Sequence, residues 1–235
     1  MPPESDLVKN ILFDLDGTLT DPKEGITRSI RYALKRLNQP APDPDELLWC
    51  IGPPLLNSFK ILLNSNQPDL AQKALMLYRE RFDRVGKFEN RVYADVPELL
   101  EKLKSNGYTL FVATSKPVVF ARQIVDHFKL APYFDEVFGS RLNGELVEKA
   151  ALIEFILHSK KIEANETIMV GDRKYDISGA QKCGVATIGV TYGYGSRQEV
   201  QTAAPNSIVD NPMAVVTAIK KLAAAQYKDS QQLTD

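Results

Sequence analysis

Three apolar runs in this chain end in a side chain that can do chemistry: Ile11-Leu12-Phe13-Asp14, Leu110-Phe111-Val112-Ala113-Thr114 and Ile168-Met169-Val170-Gly171-Asp172. Short, continuously apolar runs are what strands buried on both faces of a parallel sheet require. Ligands of such sheets bind outside the carboxyl ends of the strands. The chain is thereby constrained to gather Asp14, Thr114 and Asp172 along one rim.

The spacing around these runs predicts the rest of the sheet. Leu110 to Ala113 precedes a helical pattern over Pro117 to Phe128, Glu136 to Phe138 precedes Lys149 to His158, and Ile168 to Val170 precedes Tyr175 to Cys183. Val185 to Val190 and Ser207 to Val209 read as two more strands. Strand and helix in alternation predict an α/β fold, a doubly wound Rossmann-like parallel sheet.

Between Thr20 and Arg91 the period changes. Ile26, Ile30, Ala33, Leu34 and Leu37 share one helical face, and Leu70, Ala74, Leu77, Tyr78 and Phe82 share another. Prolines at 40, 42 and 44 and the Gly52-Pro53-Pro54 turn divide this stretch into about four helices, with no strand among them. The expected organisation is a discontinuous core, 1–19 and 92–224, with a small α-helical cap, 20–91, inserted after the first strand. Ala94 to Gly107 reads as the helix returning to the sheet, and 225–235 as a frayed tail.

Composition narrows the function. Lys plus Arg number 29 against 30 for Asp plus Glu, without the basic surplus that binding a phosphate backbone calls for, so no nucleic-acid polymer is expected as a partner. No apolar stretch approaches the roughly 18 residues of a membrane span, and the first residues, Met1-Pro2-Pro3-Glu4, do not resemble a secretory signal. A cytoplasmic monomer or homodimer is the expectation. Two cysteines, Cys50 and Cys183, provide neither a disulfide framework nor a zinc site.

Asp14-Leu15-Asp16-Gly17-Thr18 sets two acids and a Gly-Thr turn after a buried strand, leaving carboxylates beside backbone amides that could cradle an anion. A calcium-binding EF-hand is excluded, because Thr18 and Leu19 stand where that loop needs Asp or Asn and then Gly. Asp172 and Asp176, four residues apart where a helix begins, suit a hard cation with few protein ligands. His127 and His158 lie in helical patterns without a nucleophile elbow nearby and suggest no triad. Gly193-Tyr194-Gly195 lacks the third glycine of a dinucleotide fingerprint, and Ser196 with Glu199 reads as a capping box. Trp49 and the turn that follows it are assigned no role.

On these residues the chain resembles the haloacid dehalogenase superfamily of hydrolases, close to its phosphoglycolate phosphatase and 5′-nucleotidase branches. Asp14 to Thr18 matches the first motif, Thr114 the second, Lys149 the third, and Gly171, Asp172 and Asp176 the fourth. Ser115 departs from the Asn common in phosphoglycolate phosphatases, and no Pro follows Lys149. The resemblance implies a magnesium-dependent phosphatase acting on small phosphorylated metabolites through an aspartyl-phosphate. Asp14 is then the nucleophile and Asp16 the general acid and base. Leu15, Thr114, Ser115 and Lys149 hold the phosphoryl oxygens, with Lys116 as rival to Lys149. Asp14, the Asp16 carbonyl and Asp172 ligate Mg2+, and Asp176 orients a bound water. The acid at position 16 speaks against dehalogenation, which needs no leaving-group proton. A sugar-phosphate mutase of the same superfamily and a non-catalytic phosphate-binding regulatory module are the alternatives.

Overall fold

The computed structural model describes residues 8–64 and 68–232. Six parallel strands form one sheet: β1 (Asn10–Phe13), β4 (Thr109–Pro117), β5 (Glu136–Ser140), β6 (Thr167–Gly171), β7 (Ala186–Val190) and β8 (Ser207–Val209), in the order β5-β4-β1-β6-β7-β8. The strand order reverses around β1. Phe13 is level with Val112 on one side and Val170 on the other, which sets Asp14 one residue short of the level of Thr114 and Asp172. The doubly wound α/β fold expected from the apolar runs is the fold observed.

Alternate residues of β1 supply two hydrophobic layers. Ile11 and Phe13 pack with α4 (Val96–Ser105), α5 (Val118–His127) and α9 (Pro212–Gln232), whereas Leu12 packs with α6 (Lys149–Lys160) and α7 (Lys174–Lys182). All three side chains are completely buried, which is why the run carries no polar alternation. Helix α8 (Arg197–Thr202) links β7 to β8.

The first strand is followed by β2 (Thr20–Asp21), α1 (Lys23–Arg36), a 3₁₀ turn over Pro44–Cys50, α2 (Leu55–Leu62), α3 (Pro68–Arg84) and β3 (Arg91–Val92). The expectation of no strand in this stretch is corrected: β2 and β3 pair antiparallel, Thr20 with Val92 and Asp21 with Arg91, in a two-residue ribbon too short to show a period of two. Of the apolar face expected on α1, Ile26, Ile30, Ala33 and Leu34 are buried. Phe59 meets the Tyr78 ring edge to face, Tyr78 stacks on Phe82, and Phe82 meets Phe120 of α5 at 5.5 Å, so the helical segment and one sheet layer share a continuous core.

One other expectation needs correction. Strand β4 does not stop at Ala113 but runs to Pro117, with a shift of register between Thr114 and Pro117 that redirects the strand's end. Helix α9 runs to Gln232, into the stretch expected to form a frayed tail; residues 233–235 lie outside the described residues. No helix among the described residues is long and apolar enough to cross a membrane.

The end of the helical segment is fastened by Glu89. Its carboxylate accepts from Arg81 at 2.7 and 3.0 Å and from Arg28 at 3.0 Å, and these bonds hold it below the usual carboxylate range. Glu89→Gln should lower unfolding free energy by about 1–3 kcal/mol at neutral pH, measured by urea denaturation. Because the folded-state pKa is depressed, this contribution is complete above the ordinary carboxyl value and is lost as pH falls through the folded value. The urea midpoints of variant and wild type should therefore converge in acid.

Candidate active site

The turn after β1 is drawn tight by the Leu15 carbonyl, which accepts from the amides of Leu19 and Thr20, both at 2.9 Å. Leu15 and Leu19 bury their side chains, and Gly17 takes a left-handed φ of 84°. A Cβ on Gly17 would lie 2.3 Å from Asp172 Oδ2, so the loop can close on Asp172 only with glycine there. Asp14 and Asp16 emerge from this turn nearly shielded from solvent, 4% and 7% exposed.

Asp14, Asp172 and Asp176 each offer a carboxylate oxygen, and these atoms lie within 4.8 Å of one another. Lys149, at the start of α6, enters the group: its Nζ lies 3.1 Å from Asp14 Oδ1 and 2.7 Å from Asp176 Oδ1, and donates to the Ala113 carbonyl at 2.8 Å. Burial pulls its ammonium down, but the two carboxylates outweigh burial and hold it above its ordinary value. Lys116 is also in the site, on a different acid, with Nζ 2.8 Å from Asp16 Oδ2. The two lysines weighed as rivals in sequence thus both face the carboxylates.

Asp172 is completely buried. Its Oδ2 accepts from the Tyr194 amide at 2.7 Å and the Gly195 amide at 3.4 Å, and its Oδ1 accepts from the Thr18 hydroxyl at 3.4 Å. Burial, with repulsion from Asp176 and Asp14, pushes its carboxyl well up. Burial likewise pushes Asp176 up to about 6, against the pull of Lys149. Asp16 is raised by burial too, opposed by Lys116, and its Oδ1 has no hydrogen-bond partner among the described residues.

Three buried carboxylates meet around a single ammonium, and an all-oxygen donor set of this kind is what a hard divalent cation takes. The residues present therefore fit Mg2+. Asp16, by contrast, turns its carboxylate to Lys116, leaving its backbone carbonyl as the part that could face a cation.

Thr114 is buried at the redirected end of β4, its Oγ1 accepting from the Lys116 amide at 3.3 Å. Ser115 follows, half-buried, its carbonyl accepting from the Ser140 hydroxyl at 2.8 Å. Both line a cavity of about 350 Å³ that opens from Asp14 and Asp16 toward α2 and α3. His127 and His158 are exposed and outside it.

Some contributors were not read from sequence. Gly193 and Gly195 do form a turn into a helix, but they also bring backbone against Asp172, since a Cβ on either would lie within 2.5 Å of it. The Ser196–Glu199 box is only half formed: Ser196 Oγ accepts from the Glu199 amide at 3.0 Å, while the Glu199 carboxylate is diverted to Arg173 at 2.9 Å and to the Lys174 amide at 3.0 Å. Arg173 also donates to the Ile51 carbonyl, tying the helical segment to the loop that carries Asp172. The Gly52-Pro53-Pro54 turn lines the cavity, and Trp49 is exposed. A charged residue directly after Gly-Asp was the available signal for Arg173.

The profile of the family described as haloacid dehalogenase-like hydrolase matches residues 11–190. A 5′-nucleotidase of Pseudomonas aeruginosa is 50% identical over 196 residues, 83% of this chain and 88% of that protein. A phosphoglycolate phosphatase of Vibrio parahaemolyticus is 29% identical over 212 residues, 87% of this chain and 92% of its own. Among solved structures, one from Clostridium acetobutylicum described as a predicted phosphatase superposes with a TM-score of 0.86 at 45% identity, covering 92% of this chain and 98% of that one.

Lys149→Met should remove about 3–5 kcal/mol of stability in urea melts without divalent cations, because it strands buried carboxylates without their ammonium. Added magnesium should return part of that loss.

Proposed function

The chain belongs to the haloacid dehalogenase-like hydrolase family, and from that premise we propose that it hydrolyses small phosphate monoesters, of the nucleoside 5′-monophosphate or phosphoglycolate type, through an aspartyl-phosphate on Asp14 with Mg2+ bound. It is a phosphoric monoester hydrolase, as its relatives are. The observation that carries the finer reading is the meeting of Asp14, Asp172 and Asp176 around Lys149, with Asp16 held beside them by Lys116.

Phosphate monoester hydrolysis is among the slowest uncatalysed reactions in water. A carboxylate nearing a phosphate dianion meets repulsion of about 4 kcal/mol per unit-charge pair at 4 Å and an effective dielectric of 20. Asp14, the Asp16 carbonyl and Asp172, with Asp176 beside them, would hold Mg2+, and the chemistry it would supply when bound is neutralisation of the phosphoryl charge. Asp14 attacks phosphorus, and the ester oxygen leaves. Asp16, whose carboxyl burial raises against the pull of Lys116, would give a proton to that oxygen and then take one from the water that cleaves the acyl phosphate. Lys149, Thr114 and the amides of Leu15 and Ser115 hold the equatorial oxygens as charge spreads over them.

The helical segment 20–91 serves as a cap over this chemistry and encloses the leaving group. Leu55, Leu75, Tyr78, Phe82 and Phe120 line a volume of about 350 Å³, which favours the nucleoside monophosphate, whose flat base such walls can cover, over the much smaller glycolate.

Asp14→Asn should lower magnesium-dependent turnover of p-nitrophenyl phosphate at least about 1,000-fold while leaving the unfolding transition cooperative. Acid quench of wild type during turnover of a radiolabelled ester should trap a protein-bound acyl phosphate; steady product release from unlabelled protein would count against the mechanism. EDTA should stop turnover. Magnesium at 100 times its dissociation constant should stabilise wild type by about 2.7 kcal/mol, and Asp172→Asn should remove that effect in thermal melts.

A further inference from the structure

Five cationic side chains line the cavity: Arg79, Lys116, Arg141, Lys149 and Arg173. Four of them have a carboxylate partner. Lys116 pairs with Asp16, Lys149 with Asp14 and Asp176, Arg173 with Glu199, and Arg141 with Glu145. Arg79 pairs with no carboxylate among the described residues. Its one protein hydrogen bond among them runs from Nη1 to the Leu142 carbonyl at 3.0 Å. Arg79 is half-buried, and burial holds its guanidinium below its ordinary value. A guanidinium has five donors in a rigid fork, so most of this one's capacity is left for something else.

Its place on α3 says what that is. Gln72, Leu75, Tyr78, Arg79 and Phe82 face the cavity from one side of the helix. Phe82 marks the phosphoryl end, since Lys116 Nζ sits 4.5 Å from its ring centroid and 2.8 Å from Asp16. Arg79 is three residues back, about 4.5 Å along the helix axis, on the side where the leaving group extends. The bond to Leu142, in the loop after β5, fixes one edge of the fork across the cavity mouth.

Resting on the phosphatase reading, we propose that Arg79 is a specificity-determining residue that receives two adjacent acceptor atoms on the leaving group. Two chemical sources present such a pair. One is a carboxylate; the other is the carbonyl and ring-nitrogen edge of a 6-oxopurine, which an arginine fork matches and an adenine edge, with a donor in place of the carbonyl, does not. The site selects esters that carry this pair over those that do not.

The test compares wild type, Arg79→Ala and Arg79→Lys on guanosine 5′-monophosphate, adenosine 5′-monophosphate, phosphoglycolate and phenyl phosphate, the last having no acceptor beyond its phosphate. Arg79→Ala should lower the kcat/KM ratio of an acceptor-bearing ester over phenyl phosphate about 10- to 100-fold, chiefly through KM. Loss confined to the guanosine ester identifies the purine edge, and loss confined to phosphoglycolate the carboxylate. An equal loss on all four esters, or no loss on any, would overturn the proposal and leave Arg79 as a tie to Leu142. Should Arg79→Ala fail to fold, Arg79→Lys carries the comparison, keeping the charge and losing the second parallel bond, with a several-fold fall in the ratio expected. The same ratios, read as dissociation constants on an Asp14→Asn background, need no turnover. Selective binding through Arg79 in a chain that hydrolyses nothing would support the subsite and sink the phosphatase reading.

Discussion

Holding three carboxylates within 4.8 Å of one another, out of water, is the constraint around which the rest of this molecule is arranged. Like charges at that separation repel by several kcal/mol even at an effective dielectric of 20. Lys149 answers part of that repulsion, and burial, together with the repulsion it leaves, raises the Asp172 and Asp176 carboxyls. The local backbone is shaped accordingly. Gly17, Gly193 and Gly195 let two loops press on Asp172, and the amides at 194 and 195 satisfy the oxygen they press against. The sheet supplies the level platform, and the loops supply the crowding.

The second theme is how closely this crowded centre is tied to the helical segment. Tyr194 gives its amide to Asp172, while its hydroxyl donates to Asp21 on the ribbon where the segment departs. Arg173, next to Asp172 in sequence, reaches the Ile51 carbonyl near the segment's middle. Phe82 on α3 carries Lys116 over its face, and Lys116 holds Asp16. Each of these three ties runs through a single residue. Movement of the segment therefore acts directly on the groups that would do the chemistry, in keeping with gating by lids above a rigid sheet.

Much of this was legible in the order of residues, for a physical reason. A strand buried on both faces must be apolar throughout, so its end is marked by the first polar side chain, and three such ends named Asp14, Thr114 and Asp172. The helical face of α1 was equally plain because burial on one side imposes a period. What escaped notice lacks any period. Ribbon β2–β3 is two residues long, and the extension of β4 is a bulge. Arg79 and Arg173 look in sequence like any surface arginine, because a charge shows its partner, or its want of one, only once the chain is folded. Glu199 read as a cap to Ser196 for the same reason: the competing guanidinium lies 26 residues away.

The ribbon itself has a consequence for how such a protein can change over generations. Thr20 and Val92 stand directly opposite each other in the ribbon, so the intervening seventy or so residues begin and end at nearly one point beside the sheet's rim. Whatever the length of chain between those anchors, the registers of β1, β4 and β6 feel no pull from it, while the inner faces of its helices stay bound to the platform through contacts such as Phe82 on Phe120. The amount of chain above the rim is thus left free by the geometry of a two-residue pairing, and only the surface it turns downward is held.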